Sequence, residues 1–276
     1  MNEKSAPSIT ANENEEKQPA DVKGYVKEVY GERVAAPGAL NNDIALLAGY
    51  TEEQLAQLPD HAREHAFGCG NPVALAGIRP GQTVLDIGSG AGIDVLLAAR
   101  IVGPLGHVIG LDLTPAMIEA AQKNAAEAGV ENVEFRLGDA EAMPVESGSV
   151  DWIISNCVIN LAPDKGKVFD EAYRVLRPGG RILVSDLVTH NLPHSVRDSL
   201  LAWGYCVAGA LEEPDYLETI RQAGFSDVEI VARIDYDGEG LKELASEGGS
   251  VPDELLALAP SMAGRVSSIK VGASKT

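Results

Sequence analysis

The fold is decided by the stretch VLDIGSGAGID at residues 84–94. An apolar run enters a turn that contains three glycines, and a longer amphipathic segment follows the turn. Glycine allows positive φ and lets the backbone approach a ligand closely. We therefore predict a β-strand that ends in a ligand-binding turn before a helix, at the edge where open α/β sheets bind their ligands.

Short apolar runs and amphipathic segments alternate on both sides of this stretch. The predicted strands are 83–88, 107–113, 133–139, 150–156 and 181–187, and helices are predicted near 92–102, 115–128 and 164–176. This alternation implies right-handed crossovers, and nearly continuous apolar strands suit a sheet covered on both faces. We predict an α/β, Rossmann-like fold with a mostly parallel doubly wound sheet. Later strands at 227–236 and 266–275 should give it an antiparallel edge.

The remaining segments predict the domain organisation. We expect a disordered tail at 1–20, a helical cap at 21–72, a catalytic domain at 73–236 with a helical insertion near 194–222, and an extension at 237–276 that ends in an edge strand. The tail is polar and charged, and such a segment buries too little apolar surface to fold.

The charge balance excludes some partners. The 276 residues include 41 acids and 22 lysines and arginines, for a net charge of −19. This charge repels phosphate backbones and anionic membranes, so we expect no nucleic-acid or membrane partner. The sequence contains no long apolar run and no secretory pattern at its start, which predicts a cytoplasmic protein.

Three acids follow predicted strands at the edge where the glycine turn lies. The G-x-G-x-G spacing differs from the G-x-G-x-x-G of dinucleotide sites, which argues against NAD. Asp112, about twenty residues after Gly92, is placed to accept hydrogen bonds from ribose hydroxyls. Asp139 could accept from an adenine amino group, and Asp86 could attract an ammonium group. Each acid alone could be a solvated loop residue, and the turn could be purely structural; their occurrence together favours a cofactor site.

Over residues 70–235 this pattern resembles the class I S-adenosylmethionine-dependent methyltransferases. The resemblance implies S-adenosylmethionine as the cofactor. The expected cofactor-binding residues are Asp86, Gly88, Ser89, Gly90, Gly92, Asp112, Leu113, Met117, Asp139, Ala140 and Asn156.

The three cysteines of the chain lie in segments that should meet. Cys157 follows strand four, at the methyl-transfer position of such a sheet; Cys69 precedes strand one, and Cys206 lies in the helical insertion. The cysteines are widely spaced and odd in number, so we expect free thiols and no disulfide framework. They could also be ordinary buried residues, but that interpretation does not predict convergence on one cleft.

The motifs GCGNP (68–72), SNCVINLAPDK (155–165) and RVLRPGGRILVSD (174–186) make the chain similar to the arsenite methyltransferases over about residues 25–275. The resemblance implies an As(III) site in which Cys69, Cys157 and Cys206 act as ligands and catalytic residues. It also implies arsenite and methylarsenite as substrates, glutathione or thioredoxin as the thiol reductant, and a role in arsenic detoxification. Many family members have a further N-terminal cysteine; residues 35–50 have none here.

Two other functions are compatible with the sequence. A methyltransferase that acts on carbon or oxygen of a small molecule would have incidental cysteines, and oxygen methylation would require a general base, for which His190 and His194 are candidates. A non-catalytic arsenical-binding protein would keep the thiols and transfer nothing. Zinc is disfavoured because structural zinc sites normally have four ligands with closely spaced pairs.

Overall fold

The computed structural model describes residues 21–36, 45–46, 48–65, 68, 70–237, 257 and 259–276. Seven strands of these segments form one sheet in the order β3-β2-β1-β4-β5-β7-β6. The strands are β1 (Thr83–Ile87), β2 (His107–Asp112), β3 (Val133–Leu137), β4 (Val150–Asn156), β5 (Leu176–Thr189), β6 (Ser226–Tyr236) and β7 (Val266–Ser274). Strands β1 to β5 pair in parallel, and β7 is antiparallel to both of its neighbours. The predicted fold class is confirmed.

The last strand lies one position further inside the sheet than the sequence indicated. β7 pairs with β5 on one side and with β6 on the other, so β6 is the outermost strand. Nearly every residue of β7 is buried, whereas β6 alternates between half-buried and exposed residues. A strand that is buried on both faces suits an interior position of the sheet, and a strand whose residues alternate between half-buried and exposed suits the edge.

The helices lie on both sides of this sheet. They are α1 (Val22–Ala35), α2 (Glu52–Leu55), α3 (Asp60–Glu64), α4 (Pro72–Leu75), α5 (Ile93–Val102), α6 (Pro115–Glu127), α7 (Lys165–Val175), α8 (His194–Arg197), α9 (Leu200–Trp203), α10 (Glu213–Gln222) and α11 (Ala259–Met262). Successive residues of β1 point to opposite faces: Val84 packs in a core with Leu96 of α5, and Leu85 packs in another with Phe169 of α7. The two cores explain why the central strands are apolar on both faces.

Helix α1 forms the first part of the predicted helical cap. It begins after Asp21, whose side chain accepts a hydrogen bond from the Gly24 amide at 2.8 Å. Such a cap satisfies one of the free amides at a helix start. Further along the predicted cap, helices α2 and α3 are separated at Pro59, since proline disfavours helical geometry in the residue before it.

Some predictions concern residues outside the described part of the chain. They include the disordered tail at 1–20 and most of the extension before β7. The predicted insertion contains α8, α9 and α10.

In the segments that the structure describes, no helix has both the length and the apolar character that a membrane span requires.

Candidate functional site

The glycine turn after β1 is hydrogen-bonded to the end of β2. Gly88, Gly90 and Gly92 have φ values of 74°, 50° and 94°, which side-chain-bearing residues rarely adopt. The Gly88 amide donates to the Leu111 carbonyl at 2.7 Å. A Cβ atom on Gly88 would lie 2.1 Å from the Val158 side chain. The turn therefore needs glycine here both for its backbone angles and for space.

Asp112 fastens this turn to the end of β2. Its Oδ2 accepts from the Gly90 amide at 2.9 Å, and its Oδ1 accepts from the Thr114 amide at 2.8 Å. Burial raises the pKa of Asp112, and these backbone donors oppose the shift. The carboxylate is thus held in one orientation at the rim of a cavity, with its remaining lone pairs available to hydroxyl donors.

Asp139 lies at the same rim, next to α1. Its carboxylate accepts from Lys23 Nζ at 2.7 Å and from the Glu141 amide at 2.9 Å. Lys23 also contacts the Glu141 carboxylate at 2.8 Å. The N-terminal helix is therefore fastened to the loop after β3 by charged hydrogen bonds.

Two buried acids lie deeper in the cavity. Asp86 is 2% exposed, and its Oδ1 has no hydrogen-bond partner among the described residues. Burial, followed by the charges of Asp94 and Asp112, raises the pKa of Asp86 well above its usual value. Burial also raises the pKa of Asp94 to about 6, although Tyr50 and Asn156 donate to it. A bound cation would stabilise the ionised form of both acids.

Asn156, the last residue of β4, connects this acidic pocket to the loop before α4. Its Nδ2 donates to Asp94 Oδ2 at 3.2 Å and to the Gly70 carbonyl, and its Oδ1 accepts from the Gly70 amide at 3.0 Å. Gly68 lines the cavity. Both glycines that flank Cys69 therefore border the site, while Cys69 itself lies outside the described residues.

Nearly all of the predicted cofactor-binding residues line one cavity. They are Asp86, Gly88, Ser89, Gly90, Asp112, Leu113, Met117, Asp139, Ala140 and Asn156. Gly92 does not line it and instead caps the start of α5. Cys157 lies in the same wall.

Cys157 and Cys206 are brought together, as the sequence predicted. The Cys206 Sγ donates to the Cys157 carbonyl at 2.8 Å. Both residues are buried and have positive φ, 59° for Cys157 and 63° for Cys206. Positive φ in a residue other than glycine costs roughly 1–3 kcal/mol and is concentrated at functional sites.

The oxidation state of Cys157 differs from the prediction of three free thiols. Cys157 is disulfide-bonded, whereas Cys206 is a free thiol. The odd number and wide spacing of the cysteines in the sequence did not indicate this bond.

Buried charges surround the Cys206 thiol. Burial, followed by the charge of Asp186, raises the pKa of Cys206 to about 12. Burial also raises the pKa of Asp186 to about 7, while Tyr216 donates to its Oδ2 at 2.8 Å. Burial lowers the pKa of Lys165 to about 8. Cys206 is consequently protonated near neutral pH.

The two histidines predicted as candidate bases lie away from the cavity. His190 faces Glu213 at 3.6 Å, and His194 lines a separate cavity beside α10. His65 does line the main cavity, but its ring nitrogens lie 2.9 Å from the His61 carbonyl and 3.3 Å from the Ala36 carbonyl. Within the described segments, no three His, Cys, Asp or Glu side chains form a group that could hold a metal ion.

Several residues of the site were not predicted. Lys23, Val26 and Tyr30 of α1 line the cavity, as does Tyr50. Asp94 carried the clearest signal, because it ends the stretch that decides the fold, but an acid in the first turn of a helix is also expected for helix stability. The α1 residues carry no such signal, since their roles depend on how the helix docks.

Comparisons with known proteins agree with this geometry. A methyltransferase-domain family model matches residues 78–224. An arsenite methyltransferase of Halobacterium salinarum is 52% identical over 189 residues, which are 67% of this chain and 47% of that protein. An arsenite methyltransferase of Aquipseudomonas alcaligenes is 36% identical over 68% of this chain and 56% of its own. The chain thus spans about half the length of these relatives.

A solved structure extends the comparison beyond the methyltransferase domain. The crystal structure of an arsenic(III) S-adenosylmethionine methyltransferase from Chlamydomonas reinhardtii is 36% identical, with a TM-score of 0.63. The similarity covers 86% of this chain and 74% of that one.

Proposed function

Because the chain belongs to the arsenic(III) S-adenosylmethionine methyltransferase family, we propose that it transfers methyl groups from S-adenosylmethionine to trivalent arsenic bound by its cysteine thiolates. One observation carries the proposal: Cys157 lies in the wall of the cofactor cavity, and the Cys206 thiol contacts its carbonyl. Cys69, between two glycines that border the site, is the proposed third ligand. The role would be detoxification, in the cytoplasm.

The residues around the cavity fit the cofactor. Asp86 has a buried oxygen without a partner among the described residues, and the glycine turn leaves open space beside Gly90, where an added Cβ atom would meet no described atom within 4 Å. In the proposed complex Asp112 accepts from the ribose hydroxyls, Asp139 accepts from the adenine amino group, and Asp86 and Asp94 attract the ammonium group. The bound cofactor supplies an electrophilic methyl group on a sulfonium.

The thiols suit trivalent arsenic, because soft sulfur ligands select soft ions. Arsenous acid carries three hydroxyl groups, and each thiol that binds can replace one of them, so that the thiol proton and the hydroxyl leave together as water. A protonated Cys206, whose pKa is about 12, therefore needs no separate base. The bound arsenic keeps a lone pair that can attack the methyl carbon, so the protein's main task is positioning.

The disulfide at Cys157 supports the need for a thiol reductant. Arsenic cannot bind this sulfur until the bond accepts two electrons and two protons and becomes two thiols. Methyl transfer also leaves arsenic formally pentavalent, and two electrons from thiols return it to the trivalent state. We propose glutathione or a thioredoxin-like dithiol as the donor, and methylarsenite as a further substrate.

Arsenic speciation tests this function directly. The protein is incubated with arsenite, S-adenosylmethionine and glutathione, and arsenic species are separated by chromatography and measured by mass spectrometry. We expect methylated arsenic in an amount matched by S-adenosylhomocysteine. Bound arsenite without methylated product would favour a binding protein, and turnover of organic acceptors alone would favour a small-molecule methyltransferase.

Binding of the cofactor should release protons near neutral pH. Burial raises the pKa of Asp94 to about 6 and raises the pKa of Asp86 well above its usual value, so a fraction of this pair is protonated in the free protein. An ammonium group favours the ionised acids, which lowers their pKa and expels the proton. Affinity should therefore decrease as pH falls below about 6, by at most about tenfold per unit for each proton.

Calorimetry in buffers of different ionisation enthalpy measures this release. The apparent binding enthalpy should vary with the buffer at pH 7, and Asp86→Asn should reduce the variation. Exposed Asp170 on α7 offers a control, since Asp170→Asn should leave it unchanged. Equal enthalpies in all buffers, with constant affinity from pH 5 to 8, would contradict the proposed role of these acids.

A further inference from the structure

Helix α1 contacts both the cofactor cavity and the turn that carries Cys206. Lys23, Val26 and Tyr30 line the cavity, and Lys23 binds Asp139 at its rim. One turn further along the helix, Arg33 Nη1 donates to the Gly204 carbonyl at 3.3 Å. A single helix therefore spans the proposed cofactor and arsenic sites.

Arg33 lies between two aromatic rings. Its guanidinium carbon is 4.2 Å from the centre of the Tyr205 ring and 4.9 Å from the centre of the Tyr30 ring. A guanidinium is attracted to aromatic faces and stacks on them as a plane, whereas an ammonium is a compact point charge. Arg33 thus links Tyr205, which precedes Cys206, to Tyr30, which lines the cofactor cavity.

Tyr30 adds two contacts to the same turn. Its hydroxyl donates to the Gly204 carbonyl at 3.4 Å and lies 4.0 Å from the Cys206 Sγ. Cys206 itself has a φ of 63°, a conformation that persists in such a residue only when the surrounding structure holds it. The contacts from α1 are part of that surrounding structure.

We propose that α1 couples the two sites, and that Arg33 is the positioning residue that transmits the coupling from the cofactor cavity to the Cys206 turn. A cofactor that fills the cavity beneath α1 stabilises the docked helix, and the docked helix holds Cys206 in the geometry that binds arsenic. Thermodynamic linkage requires the converse, so arsenic must tighten cofactor binding by the same factor. This inference rests on the proposed function, because it concerns arsenic bound at Cys206.

Equilibrium dialysis of arsenite tests the coupling, with a phosphine as the non-thiol reductant and S-adenosylhomocysteine as the unreactive cofactor probe. In the unmodified protein, saturating S-adenosylhomocysteine should lower the arsenite Kd by about fivefold or more, the lower end of typical coupling. In Arg33→Met, which lacks the charge and the donor, the ratio should fall below about twofold, and Arg33→Lys should be intermediate. Lys27→Met, at an exposed position of α1, should keep the full ratio.

The Kd of S-adenosylhomocysteine without arsenite, measured on each variant, shows whether the cofactor site has folded, and it should change by less than about threefold because Arg33 does not line the cavity. Arsenite binding that is equally tight with and without the probe in the unmodified protein would overturn the coupling alone. Retention of the full ratio in both Arg33 variants would overturn the role of Arg33. Absence of arsenite binding under either condition would overturn the proposed function together with the coupling.

Discussion

Replacing Cys157 with serine should lower the rate of arsenite methylation by about 100-fold or more, because near-attack positioning can supply roughly 7–11 kcal/mol. Serine keeps the size of the side chain but offers a hard oxygen, which binds trivalent arsenic poorly compared with sulfur. Cys157 lies in the cavity wall, and its carbonyl accepts the Cys206 thiol. The substitution therefore removes a sulfur from the wall of the cofactor cavity, at the proposed methyl-transfer position.

Initial rates of methylarsenical formation measure the effect at saturating S-adenosylmethionine. The Kd of S-adenosylhomocysteine should change by less than about twofold, since the proposed polar contacts with the cofactor come from Asp112 and Asp86 and not from the Cys157 side chain. Cys206→Ser should show a comparable loss of rate with the same unchanged cofactor affinity. Full turnover by Cys157→Ser would mean that the acceptor is not held by thiolates, and the function would then have to be sought among small organic acceptors.

Most of the sheet could be predicted because its signals are local. β4 was predicted at the residues where it lies, and β1, β2 and β3 differ from their predicted ends by one or two residues. Each is a short apolar run bounded by turn residues, which periodicity detects. The position of β7 between β5 and β6 could not be predicted in this way, because it depends on which of the two late strands is buried on both faces.

The candidate site likewise contains some residues that the sequence predicted and others that it missed. Asp86, Asp112 and Asp139 were predicted because the carboxyl ends of parallel strands meet at one edge of the sheet. Tyr30 and Arg33 were missed, because only the docking of α1 brings them to the Cys206 turn. The placement of their segments in the fold predicted that Cys157 and Cys206 would meet, whereas the number and spacing of the cysteines predicted free thiols and did not indicate the disulfide at Cys157.

Asp112→Ala should weaken S-adenosylmethionine binding by about 100-fold or more, because hydrogen bonds to a charged acceptor contribute roughly 1.5–3 kcal/mol each and two ribose hydroxyls would lose theirs. The substitution would also leave the Gly90 and Thr114 amides without the carboxylate that accepts from them at 2.9 and 2.8 Å. The glycine turn would then lose its fixed position against β2. Both effects reduce affinity, so the loss should exceed that from removing one cofactor contact.

Isothermal titration calorimetry with S-adenosylhomocysteine measures this loss, and two further variants identify its cause. Asp112→Asn keeps one carbonyl oxygen as an acceptor, so its loss should be roughly tenfold, about one charged hydrogen bond. Asp170→Ala, at an exposed position of α7, removes an equal charge and should leave affinity within about twofold, since exposed charges are screened by salt. Equal, small losses in all three variants would show that overall negative charge, rather than a carboxylate fixed at the end of β2, attracts the cofactor.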